Sequence, residues 1–306
     1  IMLCGRFLQG IGIASPRIVM NAVIRDRYRG PEMARVMSFV MAVFILVPVI
    51  APSIGQVILI FFNWEAIFWM FLITALLVCI WFSIRLDETL LPESRQPLSF
   101  RKIRNGMIEV LKTRTALGYT LATGFLFSPF VGYLSSSQQI FADGYGKKDE
   151  FPLLFASLAL TFGVASLVNA RLVYRYGLKR LCFASVSVIT GLSSIFLLGI
   201  LGMDKMPPLW LFIGYMMIIF PGIGFLFGNL NALAMEPLGH IAGVGAAMIG
   251  SLSSLISIPL GILIAGAFNG TVLPLVTGFS LCGLVVLFSI IWAEKNPQSK
   301  VVVENP

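Results

Sequence analysis

Long apolar segments separated by short polar connections run along almost the whole chain. A helix needs about 20 predominantly apolar residues to cross the hydrocarbon core of a bilayer, and its backbone groups must be hydrogen-bonded internally. The pattern therefore predicts nine membrane-spanning helices. Their approximate ranges are 2–23, 36–62, 66–85, 116–138, 152–171, 181–202, 208–231, 241–266 and 271–293.

Lysine and arginine residues crowd onto alternate connections between these segments. If successive connections lie on opposite sides of a membrane, one side has 17 lysine and arginine residues and the other has 3, and Arg6 and Arg17 lie within the first segment. The positive-inside rule makes the rich side cytoplasmic. The C-terminus is then cytoplasmic, and the regular alternation supports the count of nine helices.

The composition agrees with a protein dissolved in lipid. The 306 residues are 58% hydrophobic and 12% charged, whereas soluble domains are about 25% charged. The net charge of +8 does not indicate a nucleic-acid partner, because the basic residues lie between apolar segments. The four cysteines all fall inside apolar segments without C-x-x-C spacing, so no disulfide is expected.

One long basic connection divides the chain into two parts. We predict that residues 1–85 are the remainder of an N-terminal six-helix half, 86–115 a cytoplasmic central loop, 116–293 a C-terminal six-helix half and 294–306 a cytoplasmic tail. Paired six-helix halves are typical of a large class of transporters. The predicted fold class is an all-α polytopic helix bundle that lacks about the first three of twelve membrane helices.

Two early segments resemble known motifs. Gly5-Arg6-Phe7-Leu8-Gln9-Gly10 is similar to the fourth-helix motif of antiporters of the major facilitator superfamily, which have twelve helices. On this resemblance the chain supplies helices four to twelve. The segment with Pro48, Pro52 and Gly55 is similar to the fifth-helix antiporter motif, although Ala51 and Gln56 depart from its Gly-Pro-x-x-Gly-Gly pattern.

Three short stretches, one of them inside the fifth-helix motif, narrow the resemblance. Ala51-Pro52, Asn169-Ala170-Arg171-Leu172-Val173 and the stretch from Asn231 to Gly239 resemble the bicyclomycin-resistance (Bcr/CflA) subfamily of drug:proton antiporters. A degraded copy of the family's Asp-Arg-x-Gly-Arg-Arg loop keeps Arg175, Gly177 and Lys179. Tyr174 replaces its acidic residue, so a gating salt bridge is in doubt at this repeat.

The resemblance implies a secondary transporter of the bacterial inner membrane that exports drugs and antibiotics in exchange for protons by alternating access. It implies no cofactor beyond the proton gradient. The implied partners are small lipophilic substrates, protons and the lipid bilayer, and the expected state is a monomer. Two alternatives stay open: an exporter of a small metabolite, and a non-transporting membrane protein that has inherited the fold.

Arg6 is the first candidate functional residue. A guanidinium deep in a bilayer is costly, so it is expected to face the protein interior or a water-filled cavity, although an arginine near the membrane edge can extend to water. The resemblance implies a role in proton coupling together with Gln9. The titrating carboxylate is expected in helices preceding Ile1, with Glu236 as the alternative, since none of the nine segments has an acidic residue near its middle.

Polar and aromatic residues within apolar segments are candidates for a substrate cavity, because such side chains can bind varied lipophilic compounds. Each has an alternative role in contacts between helices. The proline-rich antiporter motif has a similar alternative, as a kink at a packing contact. The cavity candidates are Asn21, Tyr119, Phe130, Gln138 and Asn231.

Enzyme motifs are missing from the sequence. His240 is the only histidine, and the chain has no phosphate-binding P-loop, no H-E-x-x-H and no G-x-S-x-G. We therefore expect neither ATP hydrolysis, nor another enzymatic activity, nor a metal site.

Overall fold

The computed structural model describes residues 2–28, 30–86, 99–202 and 206–295, which are almost entirely helical. No strand occurs within those ranges, in agreement with the expected all-α fold. The ten α-helices are α1 (Met2–Arg27), α2 (Gly30–Phe61), α3 (Glu65–Arg85), α4 (Phe100–Lys112), α5 (Arg114–Gln139), α6 (Phe151–Tyr176), α7 (Leu178–Ile200), α8 (Leu209–Met235), α9 (Ala242–Gly266) and α10 (Leu273–Glu294).

Nine of these helices coincide with the nine predicted segments, with differences of a few residues at most ends. Six continuous helical stretches among the described residues are long and apolar enough to cross a membrane. The longest of them, Leu209–Gly266, contains both α8 and α9, which are joined through a short 3-10 helix at Glu236–Ile241. In α2 the described residues give a shorter apolar stretch, Ile50–Phe61.

The tenth helix, α4, lies in the segment 86–115 that the sequence predicts as a loop. Its apolar residues recur every three to four positions, which is the spacing of a helix with one apolar face. Charged residues interrupt them, so the segment has no continuous apolar run and does not resemble a membrane span.

The chain divides into two compact units, residues 1–98 and residues 99–306. In the first unit α2 contacts both α1 and α3, and α3 buries none of its residues. Leucine and phenylalanine side chains on such a surface are not costly in lipid, because acyl chains are as apolar as they are. Within this unit the described core is small, and Ile24 of α1 belongs to it.

The second unit is built from two sets of three helices with matching contacts. Helix α5 packs against α9 and α10, and α8 packs in the same way against α6 and α7. The contacts of α5 with α8 and of α7 with α10 complete the bundle. Exchanging the set α5, α6, α7 with the set α8, α9, α10 therefore reproduces the main contacts between these six helices, as expected for an internal structural repeat.

Glycines allow close approach at two corresponding interfaces of this repeat. A Cβ atom added at Gly224 of α8 would lie 2.7 Å from the carbonyl oxygen of Phe162 in α6. One added at Gly261 of α9 would lie 2.9 Å from the carbonyl oxygen of Ser128 in α5. Membrane helices that lack side chains at such points can bring their backbones together and gain van der Waals contact.

We predict that Gly224→Ala lowers the free energy of unfolding by about 1–3 kcal/mol, because its methyl group would collide with a backbone carbonyl that cannot move alone. Gly228→Ala is the matched control, since a Cβ at Gly228 on the same helix would meet nothing within 4 Å. Unfolding by dodecyl sulfate in mixed micelles measures both. Equal stability of the two variants would contradict the close approach of α6 and α8.

Candidate functional site

Seven aromatic residues of α5, α6 and α8 form one group, which we call the aromatic cluster. The rings of Phe130 and Phe162 are stacked with centroids 6.0 Å apart, and Tyr133 stacks on Phe155 at 5.9 Å. Edge-to-face contacts link these rings to α8, among them Tyr133 to Phe220 at 5.1 Å. Its members are Phe127, Phe130, Tyr133, Phe155, Phe162, Phe220 and Phe227.

Prolines lie beside the aromatic cluster on both α5 and α8. Pro129 precedes Phe130, and Pro221 follows Phe220. A proline inside a helix removes one backbone hydrogen bond and bends the helix. Both helices therefore lose a regular backbone hydrogen bond at the level of these rings.

Tyr133 gives the aromatic cluster a polar group. Its side chain is fully buried, and among the described residues its hydroxyl oxygen has no hydrogen-bond partner. A buried polar atom without a partner is uncommon and calls for a ligand, a water molecule or another explanation. The cluster thus combines apolar ring faces with one hydroxyl that is free to bond.

A groove of about 650 Å³ runs between α6 and α8. Its wall is apolar, and the hydroxyls of Ser157 and Thr161 donate to the carbonyl oxygens of Leu154 and Leu158 in their own helix. The lining residues include Thr161 and Pro221, which directly neighbour cluster members in sequence. The full lining is Leu153, Ala156, Ser157, Leu160, Thr161, Val164, Ala165, Val168, Pro221 and Phe225.

Two asparagines join α6 and α8 through a pair of reciprocal hydrogen bonds. The Asn169 Nδ2 donates to Asn229 Oδ1 at 2.8 Å, and Asn229 Nδ2 donates to Asn169 Oδ1 at 2.9 Å. Asn229 is buried. The sequence singled out Asn231 instead, which is partly exposed two residues further along α8 and so points to another side of the helix.

A polar network joins α5, α7 and α10 at the end of the bundle where α5 begins. We call this the basic end, because Arg114, Lys179 and the other basic residues of these connections lie there. The Tyr119 hydroxyl donates to Glu294 Oε1 at 2.7 Å, and Lys179 Nζ donates to Glu294 Oε2 at 2.8 Å. Glu294 therefore holds three helices together through one carboxylate.

Arg114 reinforces the same end. Its Nε donates to the carbonyl oxygen of Trp292 at 2.8 Å, and its guanidinium lies 4.9 Å from the centre of the Trp292 ring. Both contacts connect the beginning of α5 to the end of α10. Glu294, which the sequence analysis did not single out, is an acidic residue at the end of an apolar span, and that position is the signal that could have indicated it.

The degraded loop motif forms the turn between α6 and α7. Gly177 has φ +79°, a conformation that favours glycine, and the Arg175 guanidinium lies 5.5 Å from the centre of the Tyr176 ring. Tyr174, which stands where the family has its acid, is 96% exposed. Lys179 of this motif has Glu294 of α10 as its carboxylate partner.

The structure separates the predicted cavity residues. Phe130 is central in the aromatic cluster, whereas Tyr119 lies three turns away along α5 in the polar network. Gln138 is exposed at the far end of α5 from Arg114. The side chains of Asn21 and Pro48 lie outside the part of the chain that the structure describes. A shared cavity role for all five candidates stays a prediction.

The far end of α5 continues into a single π-helical turn, Ile140–Gly144. Tyr145, which follows it, stacks against Phe212 with ring centroids 5.9 Å apart. Burial raises the pKa of the Tyr145 phenol above its usual range, so this side chain stays neutral.

The predicted coupling residues lie in the first unit. Arg6 Nη1 donates to Gln9 Oε1 at 3.0 Å, and the Arg6 guanidinium lies 4.9 Å from the centre of the Phe68 ring in α3. Both Arg6 and Gln9 are exposed on this unit. In α2, Pro52 and Gly55 are half-buried, and a Cβ at Gly55 would meet nothing within 4 Å of the described atoms.

Comparison with known proteins gives the family. The profile of the Major Facilitator Superfamily matches residues 1–262. The chain is 28% identical over 299 residues to a "Bicyclomycin resistance protein homolog" of Haemophilus influenzae, covering 96% of this chain and 74% of that protein. It is 29% identical over 259 residues to the "Uncharacterized MFS-type transporter YdgK" of Bacillus subtilis, covering 83% and 63%.

A third relative has a more specific name. The chain is 25% identical over 253 residues to "Multidrug resistance protein MdtL" of Escherichia coli O157:H7, covering 82% of this chain and 61% of the relative. The chain thus spans somewhat less than two thirds of the length of two of these three relatives. The names agree with the family and the subfamily that the sequence motifs resemble.

We predict that Glu294→Ala destabilises the protein by about 1.5–3 kcal/mol, because the buried Tyr119 hydroxyl would lose a charged hydrogen-bond acceptor. Lys179→Ala is expected to change stability by less than about 1 kcal/mol, because the ion pair is partly exposed. Thermal unfolding in detergent measures both variants, with Arg175→Ala as a control in the same turn. If Lys179→Ala is as destabilising as Glu294→Ala, the assignment of Tyr119 as the dominant contact is wrong.

A second prediction concerns the amide pair of α6 and α8. Asn169→Ala and Asn229→Ala each leave one amide without its partner, and each is expected to lower stability by about 0.6–2 kcal/mol. The double variant is expected to lose less than the two single losses together, since no unpaired amide remains. Asn231→Ala is the control, and strict additivity would contradict the reciprocal pair.

Proposed function

This chain belongs to the Major Facilitator Superfamily, and from that premise we propose that it is part of a proton-driven exporter of small lipophilic compounds, antibiotics among them. Proteins of this family are transporters rather than enzymes, and the described helices make the chain a multi-pass membrane protein. The relatives named for bicyclomycin and multidrug resistance support the choice of substrates.

The aromatic cluster is the observation that carries the substrate assignment. Phe130 touches Phe127, Phe162 and Phe220, and it is only partly buried. Its neighbour Tyr133 supplies a hydroxyl without a partner among the described residues. Ring faces with few fixed polar groups favour binding by apolar contact and stacking, which suits varied lipophilic compounds.

The internal repeat supports an alternating-access mechanism. The matching contacts of α5 and α8 support the proposal that α5 to α10 of the second unit form one six-helix half. In transporters built from such repeats, one half rocks against the other around a site near the middle of the membrane. We propose that the aromatic cluster is the contribution of this half to that site.

Energy would come from the proton gradient, with no bound cofactor. We propose that Arg6 and Gln9 take part in proton coupling, and that Pro48, Pro52 and Gly55 belong to an element that limits proton leak. The titrating carboxylate is the one expected in helices preceding Ile1. A fixed guanidinium lowers the pKa of a carboxyl close to it, so Arg6 would control when this carboxyl binds a proton. The hydrogen bond from Arg6 to Gln9 supports a fixed position for this charge.

The setting of the protein is proposed from charge. The lysine and arginine residues at the basic end indicate that this end faces the cytoplasm. We therefore propose that the protein lies in a bacterial inner membrane with its C-terminus on the cytoplasmic side. We propose a monomer that interacts with protons, lipophilic substrates and the bilayer.

The test measures export of a lipophilic fluorescent dye from bacteria that express the protein from its complete coding sequence. Phe130→Ala is expected to raise the KM for dye about tenfold, because a lost aromatic contact is worth about 0.5–1.5 kcal/mol beyond its area. Phe288→Ala is the matched control, since Phe288 of α10 is 71% exposed and touches none of the cluster rings among the described contacts.

Proton coupling is tested in the same cells. Arg6→Ala is expected to abolish dye export driven by an imposed pH gradient, whereas Arg180→Ala, at an exposed position outside the loop motif, is expected to keep it. Export that survives collapse of the gradient, or an unchanged response in Arg6→Ala, would contradict the coupling assignment. Equal KM values for Phe130→Ala and Phe288→Ala would contradict the substrate site.

A further inference from the structure

The junction between α4 and α5 is short and sharply bent. Only Thr113 separates it from α5, and this residue has extended backbone angles of φ −79° and ψ 102°. The chain therefore changes direction within one residue, and α4 does not continue the axis of α5. The Thr113 hydroxyl donates to the carbonyl oxygen of Glu109 at 2.8 Å, which helps to end α4 at this point.

One side of α4 is held against the second unit. Gly106 and Val110 are buried, and a Cβ at Gly106 would lie 2.9 Å from the side chain of Val244 in α9. Glu109 Oε1 lies 2.6 Å from His240 Nε2 in the 3-10 helix between α8 and α9. These contacts fix the rotation of α4 about its own axis.

The side of α4 away from these contacts carries an exposed apolar stripe. Phe100 is 84% exposed, Met107 40% and Leu111 44%. At 3.6 residues per turn the three positions fall within an arc of about 40°. Three large apolar side chains in a row on a short helix are costly in water, so this stripe requires an apolar environment.

Basic residues border the apolar stripe. Arg101, Arg104 and Lys112 are exposed, and helical spacing places them about 40–120° from the stripe, on the side away from Gly106 and Val110. The acidic residue of α4, Glu109, falls on the opposite side and contacts His240. The exposed surface of α4 is therefore apolar along the stripe and mainly cationic beside it, where Ile108 is the one exposed apolar residue among the described ones.

Trp292 indicates the depth at which α4 lies. Tryptophan is enriched at the boundary between membrane and water, and Trp292 contacts Arg114, the first residue of α5. In the chain, α4 and then Thr113 come directly before Arg114. The C-terminal end of α4 therefore lies at the membrane surface, and not deep in the lipid or far out in the water.

We propose that α4 lies along the bilayer surface at the basic end, with Phe100, Met107 and Leu111 inserted among the lipids and with Arg101, Arg104 and Lys112 binding the phosphates of anionic phospholipids. Helices with an apolar stripe and a cationic border bind at this depth, and they are sensitive to lipid charge. The proposal rests on membrane insertion of the chain and not on any transported substrate.

The first test measures depth with spin labels. A label at Phe100→Cys, in the full chain with its four natural cysteines replaced by serine, is examined in vesicles that contain phosphatidylglycerol. We expect it to collide more often with oxygen, which concentrates in lipid, than with a water-soluble nickel chelate. Asn105→Cys, at an exposed position away from the stripe, is expected to show the reverse. Leu111→Cys is a second label in the stripe if the first variant is unstable.

Two results would overturn the insertion. Collision of the stripe labels mainly with the nickel chelate would place the stripe in water. Low collision with both reagents would mean that protein, whether the first unit or another chain, covers the stripe.

The second test measures selectivity for lipid charge. A fluorophore on Leu111→Cys is quenched by brominated phosphatidylglycerol or by brominated phosphatidylcholine. Arg101→Gln with Arg104→Gln is expected to raise the half-quenching fraction of phosphatidylglycerol by about tenfold or more, since each basic residue near an anionic surface contributes about fivefold in affinity. Phosphatidylcholine is expected to quench all variants alike.

The matched control is the pair Arg171→Gln and Arg180→Gln, which removes the same charge from exposed positions of α6 and α7. It is expected to leave the half-quenching fraction unchanged. An equal effect of both pairs, or equal quenching by the two lipids in the unsubstituted chain, would overturn the assignment of the anionic lipid to α4.

Discussion

The backbone of a membrane span must satisfy its own hydrogen bonds, because the hydrocarbon core offers no water to do so. This constraint makes every long apolar segment of the chain a helix, and the observed helices follow the apolar segments closely. It says little about how the helices pack, since a leucine against lipid and a leucine against another helix are in similar surroundings. The many exposed apolar side chains of α3 are therefore as compatible with the membrane as buried ones.

Packing in the second unit is consequently specified by close approach and by a few polar pairs. The missing side chain of Gly224 lets α8 reach the backbone of α6, and the reciprocal bonds of Asn169 and Asn229 hold the same two helices in register. Other hydroxyls inside the bundle, such as those of Thr120 and Ser128, bond to carbonyl oxygens four residues earlier in their own helix. These intrahelical bonds satisfy polar groups without selecting a neighbour, so the interhelical specificity rests on few residues.

The sequence predicts which segments are helices better than it predicts the surroundings of each residue along a helix. Apolar length and alternating charge are properties of whole segments, so nine of the helices could be predicted directly, whereas α4 was missed because its apolar residues are interrupted by charges. Tyr119 and Phe130 look alike as aromatic residues in one apolar segment, yet eleven residues at about 1.5 Å each separate them by about 16 Å. Sequence alone does not give the depth of either residue, and the structure places only Phe130 in the aromatic cluster. Glu294 is similar, because its partners are 115 and 175 residues away along the chain.

Polar contacts at the basic end of the second unit differ in kind from the contacts deeper in the bundle. At the basic end, Glu294 forms an ion pair with Lys179 and Glu109 lies 2.6 Å from His240, and the members of both pairs are at least partly exposed. Exposed pairs of this kind contribute little stability, because water solvates the separated charges well. Deeper in the bundle the contacts are instead ring stacking, close backbone approach at glycines and an amide pair in which Asn229 is buried. Both pairs lie within the second unit, so movement of one six-helix half against the other would leave them intact. The packing of this unit therefore rests on its interior contacts, and the pairs at its basic end add polar contacts where water competes for them.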